Sequence, residues 1–256
     1  MKKTWEFRNK AEDKETGELL LYGEIASIAW YEDEVTPKQF KADLDALGNI
    51  KTLNVYINSP GGDVFASQAI YTMLKRHSAT KNIYVDGIAA SGASLIAMAG
   101  DKVYMPANAM MMIHNASTIV WGFAADLRKV ADELDKIQAA MVPVYAMKSG
   151  QEDKKIIELL DAETWMTAQE AKDYGFADEI EEEKQIAASI NGRILTVNGQ
   201  QFDLKSFKNA PKMAIVQQNE LKKAETSDKP DADRLFILQK QIDLKKSKFK
   251  YQEETR

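Results

Sequence analysis

Three short stretches of this chain set reactive side chains among residues small enough to let a substrate approach. The first, Asn58-Ser59-Pro60-Gly61-Gly62-Asp63, follows an apolar run and precedes a helical pattern. Paired glycines there allow a tight turn with exposed backbone N–H groups, although a Gly-Gly pair alone is most often an ordinary strand-to-helix connection. The second, Asp86-Gly87-Ile88-Ala89-Ala90-Ser91-Gly92-Ala93-Ser94, places Ser91 in the first turn of a helix, with Ser94 one turn inward and expected to be buried. A serine at that position ordinarily caps the helix. The same location also offers N–H groups and the positive end of the helix dipole to a developing oxyanion. Ala89 and Ala93 stand at the glycine positions of a G-x-S-x-G elbow, which argues against an α/β-hydrolase. The third stretch, Met110-Met111-Met112-Ile113-His114-Asn115, is an apolar strand ending in a histidine. The only competitor, His77, falls at the polar end of a surface helix, so His114 is the better general base. Asp161 and Glu163 lie between a helix and a capping box at Thr167, and either carboxylate could orient the imidazole.

Composition removes most other chemistries. The 256 residues are 45% hydrophobic and 29% charged, enough for one domain with a core plus appendages. Cysteine is absent, which excludes disulfides, thiolate zinc sites and cysteine nucleophiles and fits a reducing compartment. Two histidines cannot build a multi-histidine metal cluster, and no Walker lysine motif is present, so neither a metal nor another cofactor is expected. A net charge of -5 argues against nucleic acid as a partner. The most apolar stretch, residues 87–100, is too short to span a bilayer, so no membrane partner is expected. The charged start Met1-Lys2-Lys3-Thr4-Trp5-Glu6 lacks an apolar signal core, and a cytoplasmic location is expected.

The elements that would position these residues follow a strand, tight turn, helix rhythm, which predicts α/β architecture. Residues 5–8 and 19–25 read as strands around a polar turn at 12–17, and Thr36-Pro37 opens a helix over 37–47. Strands at 53–57 and 83–85 each lead into a helix, to about His77 and over 91–99 respectively. Short strands are expected at 103–105 and 110–113, the latter buried on both faces. Leu127, Val130, Leu134, Ile137, Met141 and Tyr145 mark one long helix whose narrow apolar stripe suits a partner helix, despite Pro143. A short helix over 152–160 and a capping box at Thr167-Ala168-Gln169-Glu170 lead to Gly175. The main domain is read as residues 1–180. An extension over 181–222 carries a hairpin signal at Asn198-Gly199, and residues 223–256 form a charged linker with a terminal helix around 235–251.

Together these stretches resemble the Clp peptidase family over residues 19–180. The resemblance rests on Tyr56-Ile57-Asn58-Ser59-Pro60-Gly61-Gly62, on Ala89-Ala90-Ser91, on Met112-Ile113-His114, and on Met166-Thr167-Ala168-Gln169-Glu170-Ala171 with Tyr174-Gly175. It implies the Clp peptidase/crotonase-like fold, Ser91 as nucleophile, His114 as base, and the backbone N–H groups of Gly62 and Gly92 as oxyanion hole. The acid position falls on Glu163, where cellular members carry Asp, with Asp161 in reserve. It further implies polypeptide substrates, a ring-shaped homo-oligomer interlocked by the long helix, and an AAA+ unfoldase as a partner supplying any ATP dependence. Asp63, Gly92, Trp165 and the tail after Ile180 look like the phage and prophage branch, whose members commonly trim capsid or scaffold proteins in the host cytoplasm. A crotonase-type acyl-CoA hydratase or isomerase, and a non-enzymatic capsid-assembly component, are the alternative readings.

Overall fold

The computed structural model describes residues 5–10, 13–26, 37–182, 188–191, 194–197, 200–204 and 207–210. By contacts the chain divides into one unit over Met1–Ala214 and a second over Ile215–Arg256. The second unit, including the linker and terminal helix read from the sequence, lies outside the described residues.

The first unit opens with an antiparallel pair, β1 (Trp5–Lys10) and β2 (Asp13–Tyr22), with Phe7 opposite Leu19. The sequence places a polar turn at 12–17, but Asp13 to Gly17 already belong to β2. Gly17 is required there by close approach. A Cβ at that position would lie 2.8 Å from Ile50 Cδ1 and 3.0 Å from Leu47 Cδ1. Next come α1 (Pro37–Ala46), β3 (Thr52–Ser59), α2 (Val64–Arg76) and β4 (Thr80–Ala90), and β2, β3 and β4 pair in parallel. Phe40 and Leu44, one turn apart on α1, are buried, as are Ile70 and Leu74 on α2. Burying each such side chain contributes about 1.5–3 kcal/mol. On β3 and β4 the inward residues Leu53, Val55, Ile57, Ile83 and Val85 alternate with Tyr56 and Tyr84, whose stacked rings continue to Tyr104 on the opposite face.

β4 runs from Thr80 to Ala90, well beyond the stretch its apolar pattern marks. The apolar pattern marks residues 83–85, yet the strand continues through Ala90, because Ile88, Ala89 and Ala90 pair with β6 (Met110–Ile113) after residues 82–84 have paired with β5 (Lys102–Pro106). The strand therefore forks the sheet, delivering Ser91 and His114 from adjacent parallel strands. The helix after Ser91 is correspondingly short, α3 (Gly92–Ala97), where 91–99 was expected.

Beyond β6 run α4 (Ala124–Ser149, with Pro143 inside it), α5 (Asp153–Asp161), β7 (Thr164–Thr167), α6 (Ala168–Asp173) and β8 (Glu179–Glu181). β7 pairs antiparallel with β6, and β8 joins the far edge beside β5. The capping box at Thr167 forms, with Thr167 and Glu170 exchanging hydrogen bonds. In the extension, β9 (Ala188–Asn191), β10 (Ile194–Val197) and β11 (Gln200–Asp203) make a separate antiparallel sheet. Val197 stands opposite Gln200, so the expected hairpin pairs around residues 198–199, which themselves lie outside the described set.

Both faces of β6 are covered. Met111 and Ile113 enter the main core, while Met112 joins a second cluster with Ile88, Ala90, Leu204 and Phe207. The described end of the extension thus packs on the two strands that lead into Ser91 and His114.

Candidate active site

Ser91 links β4 to α3 with φ 51 and ψ −125, a conformation that L-residues avoid and that persists only where the surroundings impose it. Its N–H donates to Met112 O at 2.9 Å, tying the turn to β6, and its carbonyl accepts from Ser94 Oγ at 2.6 Å. Ser94 is fully buried and also contacts the Tyr145 hydroxyl at 2.9 Å. The ordinary reading of Ser91 as a helix cap does not hold, because its side chain makes no capping bond. Instead Ser91 Oγ lies 2.7 Å from His114 Nε2, within direct proton-transfer reach.

The glycine turn is threaded against the continuation of β2. Ile25 N donates to Gly61 O at 2.9 Å and Asp63 N donates to Ile25 O at 2.7 Å, with Gly62 bridged to Ile25 between them. Gly62 adopts φ 147, and a Cβ there would meet Ile25 O at 2.0 Å. The Asp63 carboxylate then caps α2 through Ala66 N at 2.7 Å. Gly92 begins α3, where the N–H has no acceptor within the helix. A Cβ built on Gly92 would lie 3.6 Å from Gly62 N, so the two glycines adjoin beside Ser91. Backbone N–H groups next to a serine hydroxyl suit the charge that develops on a carbonyl oxygen under attack.

His114 is largely buried, and this desolvation holds its pKa below the ordinary histidine value, with the Glu163 charge pulling it upward. Lower basicity keeps the imidazole neutral, the form that accepts a proton. Glu163 sits between α5 and β7 with φ 47, buried at 8% exposure. Its Oε1 accepts from Asn209 N at 2.6 Å and Trp165 Nε1 at 3.4 Å, and its Oε2 accepts from Lys208 N at 2.9 Å. Among the described residues it makes no hydrogen bond to His114, so its effect on the imidazole is electrostatic. Asp161 is turned elsewhere, accepting from Asn115 Nδ2 at 2.7 Å and Gln138 Nε2 at 2.9 Å. His77 is likewise remote in role, its Nδ1 accepting from Ala79 N at the end of α2. The contacts of Phe207, Lys208 and Asn209 went unread in the sequence, since two of them are made by backbone N–H groups that every non-proline residue carries.

These contacts separate the two carboxylates. In Glu163→Gln one oxygen becomes an NH2 that faces an N–H donor, leaving a buried donor unpaired at about 1–3 kcal/mol. Asp161→Asn retains an oxygen for both of its donors. Glu163→Gln is therefore expected to lower both melting temperature and turnover well beyond Asp161→Asn, and the reverse order in unfolding and rate measurements assigns the acid to Asp161.

A serine–imidazole pair at a strained strand-to-helix turn, beside two adjoining glycines, is an arrangement for acyl transfer through a serine nucleophile. The Clp protease family model matches residues 26–184, and the chain belongs to that family. The ATP-dependent Clp protease proteolytic subunit of Bacteroides fragilis is 34% identical over 166 residues, covering 63% of this chain and 80% of that protein. ATP-dependent Clp protease proteolytic subunit 1 of Corynebacterium jeikeium is 36% identical over 139 residues, 54% of this chain and 74% of that one. Subunit 2 of Thermobifida fusca is 30% identical over 172 residues, 65% and 85% respectively.

Proposed function

We propose that this chain is a serine endopeptidase acting on unfolded or flexible polypeptides. The observation that carries the reading is the 2.7 Å approach of Ser91 Oγ to His114 Nε2 at a serine that caps nothing. Ser91 Oγ attacks the peptide carbonyl as His114 Nε2 takes its proton, and the N–H groups of Gly62 and Gly92 stabilise the oxyanion. His114 then protonates the leaving amine, and water deprotonated by His114 releases the acyl group from Ser91. Glu163 stabilises the transient imidazolium through its charge. Incubation with an unfolded polypeptide and, separately, with an enoyl-CoA tests this reading. Polypeptide cleavage supports it, and hydration of the enoyl double bond with no cleavage supports the crotonase-type alternative.

The finer role proposed is maturation of phage or prophage capsid and scaffold proteins in the host cytoplasm. Asp63 after the glycine pair, Gly92 after the serine, Trp165 near the acid and the extension past Ile180 support it. A separate AAA+ unfoldase partner is proposed with it, since the relatives in Bacteroides fragilis and Corynebacterium jeikeium are ATP-dependent Clp protease proteolytic subunits.

The active form is proposed to be a ring-shaped homo-oligomer. On α4 the stripe divides: Met141 and Tyr145 are buried in the chain's own core, whereas Leu127 is exposed, and Val130 and Leu134 are only partly covered. Just before it, Ile119 and Trp121 are fully exposed and Phe123 nearly so. Apolar surface of that extent favours a partner. Leu134→Asp combined with Ile137→Asp is expected to reduce both the assembly mass and the turnover, because charge at such a contact is desolvated without a partner. Light scattering that gives a fully active wild-type single chain of 28.7 kDa contradicts the assembly proposal.

A further inference from the structure

Three residues of the extension touch both the base and the acid of the candidate triad. Lys208 N and Asn209 N, successive along the backbone, donate to the two oxygens of Glu163 at 2.9 and 2.6 Å. Asn209 Nδ2 donates to Ala162 O at 2.8 Å, which ties the same residue to the turn that carries the acid. Phe207 packs edge-on against His114, with ring centroids 5.5 Å apart, and against Trp165 at 5.7 Å.

We propose that residues 207–209 are a positioning element of the active site, in which the Lys208 and Asn209 N–H groups fix the Glu163 carboxylate and the Phe207 ring walls the His114 imidazole. The inference rests on the serine-peptidase reading of Ser91 and His114. A glutamate has three side-chain torsions to order, more than a shorter acid in the same place, so a long carboxylate near a base needs partners to hold it. Two consecutive N–H donors provide a fixed anion cradle without adding a charge beside the imidazole. Oε2 accepts one bond here and has capacity for a second, so the cradle does not exhaust the carboxylate's acceptors. A second observation is independent of the carboxylate. Phe207 and Leu204 share one cluster with Ile88 and Ala90 of β4 and Met112 of β6, the strand ends that present Ser91 and His114. The extension thus braces all three members.

Among the described residues, few groups act electrically on His114. Glu163 is the charge that raises its pKa, and Asp161 is held by Asn115 and Gln138. Lys208 is exposed, and it is its backbone N–H that engages Glu163. Burial opposes Glu163 and holds the imidazole below its ordinary value. Removing the Phe207 ring admits water, relieves that desolvation and moves His114 upward, so the acid limb of any rate needing neutral His114 moves to higher pH.

The test is the rate of fluorophosphonate labelling of Ser91 against pH in the full-length chain. Phe207→Ala and Asn209→Pro, the latter deleting one cradle donor, are expected to label roughly tenfold to a hundredfold more slowly. In Phe207→Ala the acid limb also shifts to higher pH. Phe207→Tyr keeps the ring and slows labelling less than Phe207→Ala, and Asn209→Ala, which keeps the N–H but loses the bond to Ala162 O, slows it less than Asn209→Pro. Should Phe207→Ala not fold, Phe207→Leu, which keeps apolar volume but not the ring, is expected to label more slowly than wild type with a smaller shift of the acid limb. Wild-type rates and limbs in all variants overturn the proposal, as does faster labelling in Phe207→Ala and Asn209→Pro, which makes the segment a plug. In either case the labelled wild-type Ser91 leaves the peptidase reading standing. A wild-type Ser91 that never labels overturns that reading and this proposal together.

Discussion

Ser91→Ala is expected to reduce peptide hydrolysis by roughly a million-fold while leaving the fold in place, since losing one member of a cooperating set costs about as much as losing all of it. The hydroxyl makes no capping bond, and its contact is His114, so deletion removes the nucleophile without unpairing the helix. His114→Ala is expected to be nearly as damaging, and the double variant little worse than either. His77→Gln leaves the rate as it was. Stability adds a second signature. With φ at 51, Ser91 sits where a Cβ is unwelcome, a strain of order 1–3 kcal/mol that alanine keeps and glycine relieves. Ser91→Gly is therefore expected to melt above Ser91→Ala, both being inactive. Undiminished turnover in either variant removes Ser91 from the chemistry.

Gly62→Ala and Gly92→Ala are both expected to lower turnover by about a hundredfold or more by displacing an oxyanion donor, but with very different costs in stability. At Gly62 the new Cβ meets backbone, with Ile25 O at 2.0 Å and Ile25 N at 2.8 Å, in a φ of 147 that suits glycine alone. Ile25 cannot retreat without losing its bonds to Gly61 O and Asp63 N. A loss of about 3 kcal/mol or more follows, combining strain with broken pairing. At Gly92 the nearest atom is Ser67 Oγ at 2.1 Å, a side-chain hydroxyl bonded to Asp63 O that can rotate away. Urea midpoints should fall much further for Gly62→Ala, and a larger fall for Gly92→Ala contradicts the packing described.

Much of this site could be read from residue types alone. The four apolar residues 110–113 form β6 as expected, because an unbroken hydrophobic run followed by a histidine fits a strand buried on both faces. The glycine pair, the small residues around Ser91 and the capping box at Thr167 likewise fall where local chemistry places them. What escaped was set by tertiary contact. Gly87 to Ala90 carry no alternation, so nothing local shows that β4 continues through them to pair with β6. Gly17 imitates a turn residue but is small because Leu47 and Ile50 crowd it. Asp161 and Glu163 are two residues apart and equivalent by composition. They differ because α5 ends between them, leaving Asp161 facing Asn115 while Glu163, at a left-handed φ, turns inward. The bonds of Lys208 and Asn209 to the Glu163 carboxylate use backbone donors and leave no trace in residue identity.

The central claim is that Ser91 is an activated nucleophile, and the most direct measurement is reaction of the intact protein with a fluorophosphonate followed by peptide mass analysis. Only a serine whose proton is taken by a neighbouring base reacts at a useful rate. The expected result is a single adduct on the peptide containing Ser91, absent in Ser91→Ala, suppressed in His114→Ala and unaffected by His77→Gln. An adduct on another serine, or none on the folded wild-type chain at any pH, contradicts the serine-peptidase assignment.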